Sequence, residues 1–331
     1  LASEIMDGLF AECIPVIRDL MTKSANRSKR VRTDFLYRPV TDEAQKEFAK
    51  VLLHVMGFDT EKGTMGLAVH PFTERLGRHD TRVTTHFEKN CFISSMYSVI
   101  HECGHALFEQ NQPKENFTHY IADNKTMGQH ESVSRFYENI IGRSEAFIHF
   151  IYPEVCRIFP EVMADVSEKE FYEAVNVVQP SLIRTEADEL TYSLHIYIRY
   201  EMEKALLHGE ILAEDAKNEW NRLYETHLGV CPKDDLTGIL QDIHWTDSFG
   251  YFPTYVMGNF YGAMYLKKMQ EEFDPFEAVS NGDFKRINAW MTEHVFAEAD
   301  SLPPFEWIYR VTGRHLTSRD FVDYITQKYG T

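Results

Sequence analysis

The chain reads as a mainly α-helical protein, and three observations carry that reading. Apolar residues recur at three- and four-residue spacing along most of its length, beginning with Ile5, Leu9, Phe10, Ile14, Ile17 and Leu20. Helix-stopping residues stand where such stripes end, as Gly57 does. Strand-like texture, short and β-branched between Gly, Pro and Asp, is confined to the stretch from Thr64 to Phe87.

Taken in order, the first helix runs to about Thr22. A basic linker from Lys23 to Arg32 reads as a solvated loop, and a second helix spans Asp42 to Met56. Two strands, Met65 to Phe72 and Thr81 to Phe87, are expected to form a small antiparallel sheet just before a helix from Phe92 to Gln110. Phe92, Met96, Val99, Ile100, Cys103, Leu107 and Phe108 bury one side of that helix. After Pro113 comes a loop to about Thr126, then one long helix from Met127 to Phe150 that Pro153 closes. Further helices are expected at Lys169 to Val177, Ser181 to Leu207, Glu214 to His227, Tyr255 to Phe273, Phe284 to Ala297 and Ser318 to Lys328. Gly229 to Phe252 is the longest connection, a length more often functional than idle.

Composition narrows the partners. The 331 residues are 44% hydrophobic and 26% charged, as in a soluble globular protein with a sizeable core. No apolar run of about 18 residues suggests a membrane span, and no basic-then-apolar signal peptide stands at the start. Five scattered cysteines, odd in number, read as reduced thiols and point to a cytoplasmic protein. A formal net charge of −17 argues against nucleic acid, and it obliges any site for an anionic group to supply its own local cation.

The chemistry gathers around Ile100-His101-Glu102-Cys103-Gly104-His105. Four residues advance a helix by roughly 400°, so the two imidazoles leave one face about a turn apart and can grip one metal ion. Glu102 beside the first ligand is placed to act as general base toward water. Catalytic zinc keeps three protein ligands and one open position, so the chain must supply one more. Glu131, in His130-Glu131-Ser132 at the start of the next long helix, is the choice. His130 is its rival, pointing about 100° away. Cys103 turns away from the ion into the core, while Asp80 and Arg82 share one strand face as a structural pair or as support for the site.

Four further stretches accompany the metal helix and Glu131. They are His70-Pro71-Phe72, Asp80-Thr81-Arg82-Val83-Thr84, Ile183-Arg184-Thr185-Glu186-Ala187-Asp188 and Gly238-Ile239-Leu240-Gln241-Asp242-Ile243-His244-Trp245. In that order the set resembles the signatures of the carboxypeptidase Taq family of metallocarboxypeptidases. The resemblance implies a helical groove fold similar to neurolysin and angiotensin-converting enzyme, forming a single catalytic domain over residues 1–331. It implies release of single residues from peptides with a free C-terminal carboxylate, by a homodimer holding Zn2+ or Co2+. It also implies His101, His105 and Glu131 as ligands, Glu102 as base, and Arg184 as the holder of the substrate carboxylate.

A guanidinium suits that last role because it offers planar, paired donors; the plainer expectation is an Arg184–Asp188 pair along one helix. His244, Tyr251 and Tyr255 are the candidates to stabilise the oxyanion, and His70 either lines the groove or caps a turn. A dipeptide-releasing or internally cutting peptidase, and a metal-binding fragment weak in catalysis, are the alternatives. Full-length members possess a further N-terminal helical segment that the resemblance does not find here, which leads us to expect bare apolar faces or compensating self-association near Ile5 to Leu20 and Phe48 to Met56.

Overall fold

The computed structural model describes residues 2–119, 126–246, 249–298 and 300–330. Its helices in chain order are α1 (Ala2–Ser28), α2 (Asp42–Met56), α3 (Phe92–Gln110), α4 (Lys114–Thr118), α5 (Met127–Arg135), α6 (Glu145–Ile158), α7 (Pro160–Met163) and α8 (Glu168–Val175). They continue with α9 (Tyr192–Leu207), α10 (Ala216–Leu228), α11 (Pro253–Met269), α12 (Pro275–Ser280), α13 (Phe284–Met291), α14 (Pro304–Thr312) and α15 (Arg319–Tyr329). The chain divides into two compact units, one of Leu1–Arg30, Asn176–Met257 and Thr317–Thr331, the other of Val31–Val175 and Gly258–Leu316. Among the described residues, no helix is long and apolar enough to cross a membrane.

In the first unit, α1 packs on α9 and α15, and α9 packs on α10. α1 runs six residues past Thr22, through most of the stretch expected to be a loop, because Ser24 is buried and its hydroxyl donates to the carbonyl of Tyr329 at the end of α15. The stripe Leu9, Phe10, Ile14, Ile17 and Leu20 is buried, so the bare face expected there is not found; Ile5 alone of the six is exposed. α9 begins at Tyr192 and not at Ser181. Asp188 accepts from the backbone N–H groups of Leu190 and Thr191, and this side-chain turn marks the true start.

The second unit holds the sheet and the metal helix. β1 (Gly63–Leu67), β2 (Thr73–Gly77) and β3 (Asp80–Thr85) lie in the order β1-β3-β2. The sheet is mixed, not antiparallel as expected: β3 pairs with β2 antiparallel but with β1 in parallel, Gly63 opposite Thr81 and Leu67 opposite Thr85. The reason is β2, a mostly polar edge strand with no apolar alternation to reveal it. It carries the chain back, so that β1 and β3 run the same way. Along β3, Thr81, Val83 and Thr85 are buried while Arg82 faces solvent. Thr73 and Arg75 stand opposite Val83 and Thr81, so they share that inner face, which packs on α3.

α2 and α3 keep the bounds expected of them, and Gly57 ends α2 in the left-handed conformation. Phe48, Leu52 and Met56 are buried, so no bare face lies there either. The loop expected after Pro113 includes α4, and its residues 120–125 lie outside the described residues. The long helix expected from Met127 to Phe150 breaks in two. α5 passes into a π-helical turn, Phe136–Ile141, and Ser144 starts α6 by accepting from the Phe147 N–H at 3.1 Å. Pro153 closes nothing and lies within α6. α12 and α14, unforeseen, each begin with Pro at the first or second position, where a missing N–H costs nothing.

Candidate metal centre

The three predicted ligands converge. The Nε2 atoms of His101 and His105 lie 3.7 and 3.5 Å from Oε2 of Glu131, and one ligating atom from each residue falls within 4.8 Å of the others. Two glycines permit the approach. A β-carbon on Gly104 would stand 2.6 Å from Ser134 Cα, so only a bare residue lets α3 meet α5 at that point. A β-carbon on Gly258 of α11 would press on Glu131 Cγ at 3.0 Å. α5 is further anchored to α11 by Arg135 Nε donating to Asn259 Oδ1 and by a 2.7 Å hydroxyl contact between Ser132 and Tyr265.

The ligands are themselves held. His101 Nδ1 lies 2.8 Å from Glu138 Oε2, which leaves Nε2 to face Glu131. Burial pulls His101 down, but Glu131, Glu138 and Glu102 outweigh it and lift the imidazole to about 9. Burial raises the carboxylates, but His101, His105 and Arg135 outweigh it and lower Glu131, while His101, Arg135 and Arg143 bring Glu138 to about 2. Two imidazoles and one carboxylate, with no fourth protein donor gathered among the described residues, fit zinc with a position left open.

Glu102, beside His101, is buried, and its Oε2 accepts from Thr73 Oγ1 at 2.7 Å. His130 is not a ligand; its ring turns to the far side of His105, Nδ1 to Nδ1 at 2.5 Å. Cys103 is buried in the core as expected. Asp80 and Arg82 form a paired ion bridge, both contacts 3.0 Å, that is exposed and so serves the sheet. His70 lies on an exposed bend between β1 and β2. Thr73, Arg75, Glu109 and Glu138 went unread in the sequence. Their signal was spacing: Glu109 is seven residues from Glu102 on α3, Glu138 seven from Glu131, and Thr73 and Arg75 alternate on one strand face.

The other candidates cluster in the first unit. Arg184 stands in a 3-10 turn, Arg184–Glu186, so the helical pair with Asp188 does not form. Its Nε donates to Asp242 Oδ1 at 2.9 Å, Nη1 to the Tyr192 hydroxyl at 3.2 Å, and its guanidinium lies over the Tyr255 ring at 4.8 Å. Asp242 also accepts from Arg199 Nε at 2.6 Å. Burial opposes charge on Asp242 and Arg184, yet the two guanidiniums hold Asp242 below its usual range, and Tyr192, Asp242 and Tyr255 hold Arg184 above its own. Two guanidiniums share one carboxylate here, which leaves one local positive charge. His244 Nε2 lies 3.0 Å from the Tyr255 hydroxyl, with Tyr251 packed against the same ring.

A helix-borne His-Glu-x-x-His pair completed by a carboxylate from the next helix defines the centre of a zinc metallopeptidase. The chain belongs to the carboxypeptidase Taq (M32) metallopeptidase family, whose model matches residues 1–329. It is 41% identical over 323 residues to thermostable carboxypeptidase 1 of Thermus thermophilus, covering 97% of this chain and 63% of that one. It is 40% identical over 328 residues to carboxypeptidase 1 of Bacillus subtilis, covering 98% and 66%. The crystal structure of an M32 carboxypeptidase from Deinococcus radiodurans R1 superposes with a TM-score of 0.95 at 36% identity, over 99% of this chain and 66% of that one. The chain thus spans just under two thirds of the length of these relatives.

Proposed function

We propose that the chain is the catalytic domain of a metallocarboxypeptidase that hydrolyses the last peptide bond of peptides with a free C-terminus and releases single amino acids. The convergence of His101, His105 and Glu131 beside the braced carboxylate of Glu102 carries this reading. His101, His105 and Glu131 would hold zinc, or cobalt in its place, and the bound ion would supply Lewis acidity toward the scissile carbonyl and the attacking water. Glu102 takes a proton from the attacking water and returns it to the leaving amine as the C–N bond breaks. Arg184 receives the terminal carboxylate, supported by the surplus positive charge of the Arg184–Asp242–Arg199 cluster. His244 and Tyr255, hydrogen-bonded to each other, and Tyr251 beside them are the donors proposed for the developing oxyanion. His70 is proposed to line the path of the peptide.

The single domain is supported by one family match running through both units. A groove of the neurolysin type and a homodimer follow from the family resemblance, while the proposed cytoplasmic location rests on the five free cysteines, which agree with a reducing compartment. Nothing in the relatives favours dipeptide release or internal cleavage. The deciding assay offers an N-acylated dipeptide and its C-terminal amide to the zinc-loaded chain. Free amino acid from the first and almost none from the second is expected; equal cleavage of both, or cleavage of longer peptides at internal bonds, would overturn the reading.

A further inference from the structure

His130 adjoins Glu131 in the sequence but faces a different task. Its Nδ1 lies 2.5 Å from His105 Nδ1, and its Nε2 lies 2.9 Å from Glu109 Oε1. The second oxygen of Glu109 accepts from Arg75 Nε at 2.7 Å, in an ion pair whose side chains are 1% and 8% exposed. The rings of Phe108, against His130, and Phe117, against the Arg75 guanidinium, cover the chain of contacts. Arg75 of the sheet is thereby connected to the ligand His105 through Glu109 and His130 in series.

The proton positions in that series are constrained. Between two ring nitrogens in contact, one donates and the other accepts. His105 presents Nε2 toward Glu131, and a ligating nitrogen must offer a lone pair, so the proton of His105 belongs on Nδ1. His130 then accepts at Nδ1 and carries its own proton on Nε2, directly facing Glu109, which can only accept. Arg75 can only donate, and it anchors the far end. His101 is served differently, by Glu138 alone. The second ligand is thus reached through an imidazole where the first is reached by a carboxylate.

We propose that Arg75, Glu109 and His130 form a positioning relay that fixes His105 in its Nδ1–H tautomer and thereby sets the affinity of the site for zinc. This rests on the reading of His101, His105 and Glu131 as the zinc ligands. None of the three relay residues belongs to the ligand set of His101, His105 and Glu131, and each acts through His105. Outer partners of this kind are worth 10–100-fold in metal affinity.

The test is zinc affinity, measured at one pH by competition with a chromogenic chelator, on the whole chain and on His130→Leu, His130→Gln, Glu109→Gln and His105→Ala. Melting of each zinc-free protein reports on the fold. His130→Leu is expected to weaken zinc by about 10–100-fold. His130→Gln, whose amide oxygen can accept from His105 Nδ1, should regain most of that loss. Glu109→Gln, the mildest change and the one to read if His130→Leu fails to fold, should weaken zinc by about three- to tenfold. Wild-type affinity in His130→Leu, or in Glu109→Gln where that variant is the one read, overturns the relay; so does a His130→Gln no better than His130→Leu. A zinc-free melting temperature that falls in step with affinity across the set also overturns it, since the residues would then be only structural. Zinc retained by His105→Ala would refute the ligand reading itself, and that failure is distinguishable from the others.

Discussion

Gly104 and Ser134 meet with no side chain between them: a β-carbon on Gly104 would lie 2.6 Å from the Ser134 α-carbon. That contact sets the spacing of α3 and α5, and hence the distance from His101 and His105 to Glu131. Gly104→Ala must push the helices apart. We expect a loss of about 1–3 kcal/mol from overpacking, together with weaker zinc binding. Urea unfolding and a zinc titration on the same preparation check this, and wild-type zinc affinity in Gly104→Ala would contradict it.

Thr73 aims the proposed base. Its hydroxyl lies 2.7 Å from Glu102 Oε2, to which it donates, and 2.9 Å from the Glu102 carbonyl oxygen, which can share that one proton. Thr73→Val keeps the shape and removes the donor. A hydrogen bond to a charged group is worth about 1.5–3 kcal/mol, so kcat should fall by roughly 10–100-fold while zinc content stays at the wild-type level. Steady-state kinetics with metal analysis separate the two effects.

Arg184 is expected to read the terminal carboxylate. Arg184→Ala should cut kcat/KM on free-carboxylate peptides by about 10–100-fold, the equivalent of one charge-assisted pair, and barely alter the slow cleavage of amidated ones. Selectivity between the two is the quantity to measure. Equal losses on both would make Arg184 a structural partner of Asp242 and nothing more.

Glu203 predicts a pH dependence of stability in the first unit. It is buried in α9 and accepts from the Gly250 N–H at 3.0 Å; burial outweighs that bond and raises its carboxyl from 4.5 to about 7. The folded chain therefore binds more protons than the unfolded one between those values. This contribution is fully present below about 4.5 and is lost as pH rises through about 7. Urea midpoints across that range should fall with pH in the wild type and fall less in Glu203→Gln; identical slopes would refute the assignment.

What was legible in the sequence is what local geometry dictates. α2 and α3 repeat their apolar residues at helical spacing, and two histidines four apart point the same way whatever surrounds them. Glu131 was legible because a pair of histidines requires a partner on a neighbouring helix. β2 was not, since Thr73-Glu-Arg-Leu-Gly77 is an edge strand whose polar side chains meet α3 by hydrogen bonds and leave no apolar alternation. Arg184 was placed on a helix because Asp188 looked like its neighbour four residues on. Asp188 instead caps the turn before α9, and Arg184 finds Asp242, 58 residues away. Contacts of that range leave no local periodicity to read.

The proposed division of labour, in which Glu102 handles protons while His101, His105 and Glu131 hold zinc, is tested by one paired measurement: zinc content and turnover of a blocked dipeptide for Glu102→Gln and Glu131→Ala. An amide at position 102 can neither take nor return a proton. Glu102→Gln is therefore expected to keep its zinc and lose nearly all turnover, whereas Glu131→Ala should lose the zinc itself. Full, tight zinc in Glu131→Ala, or near-wild-type turnover in Glu102→Gln, would contradict the account.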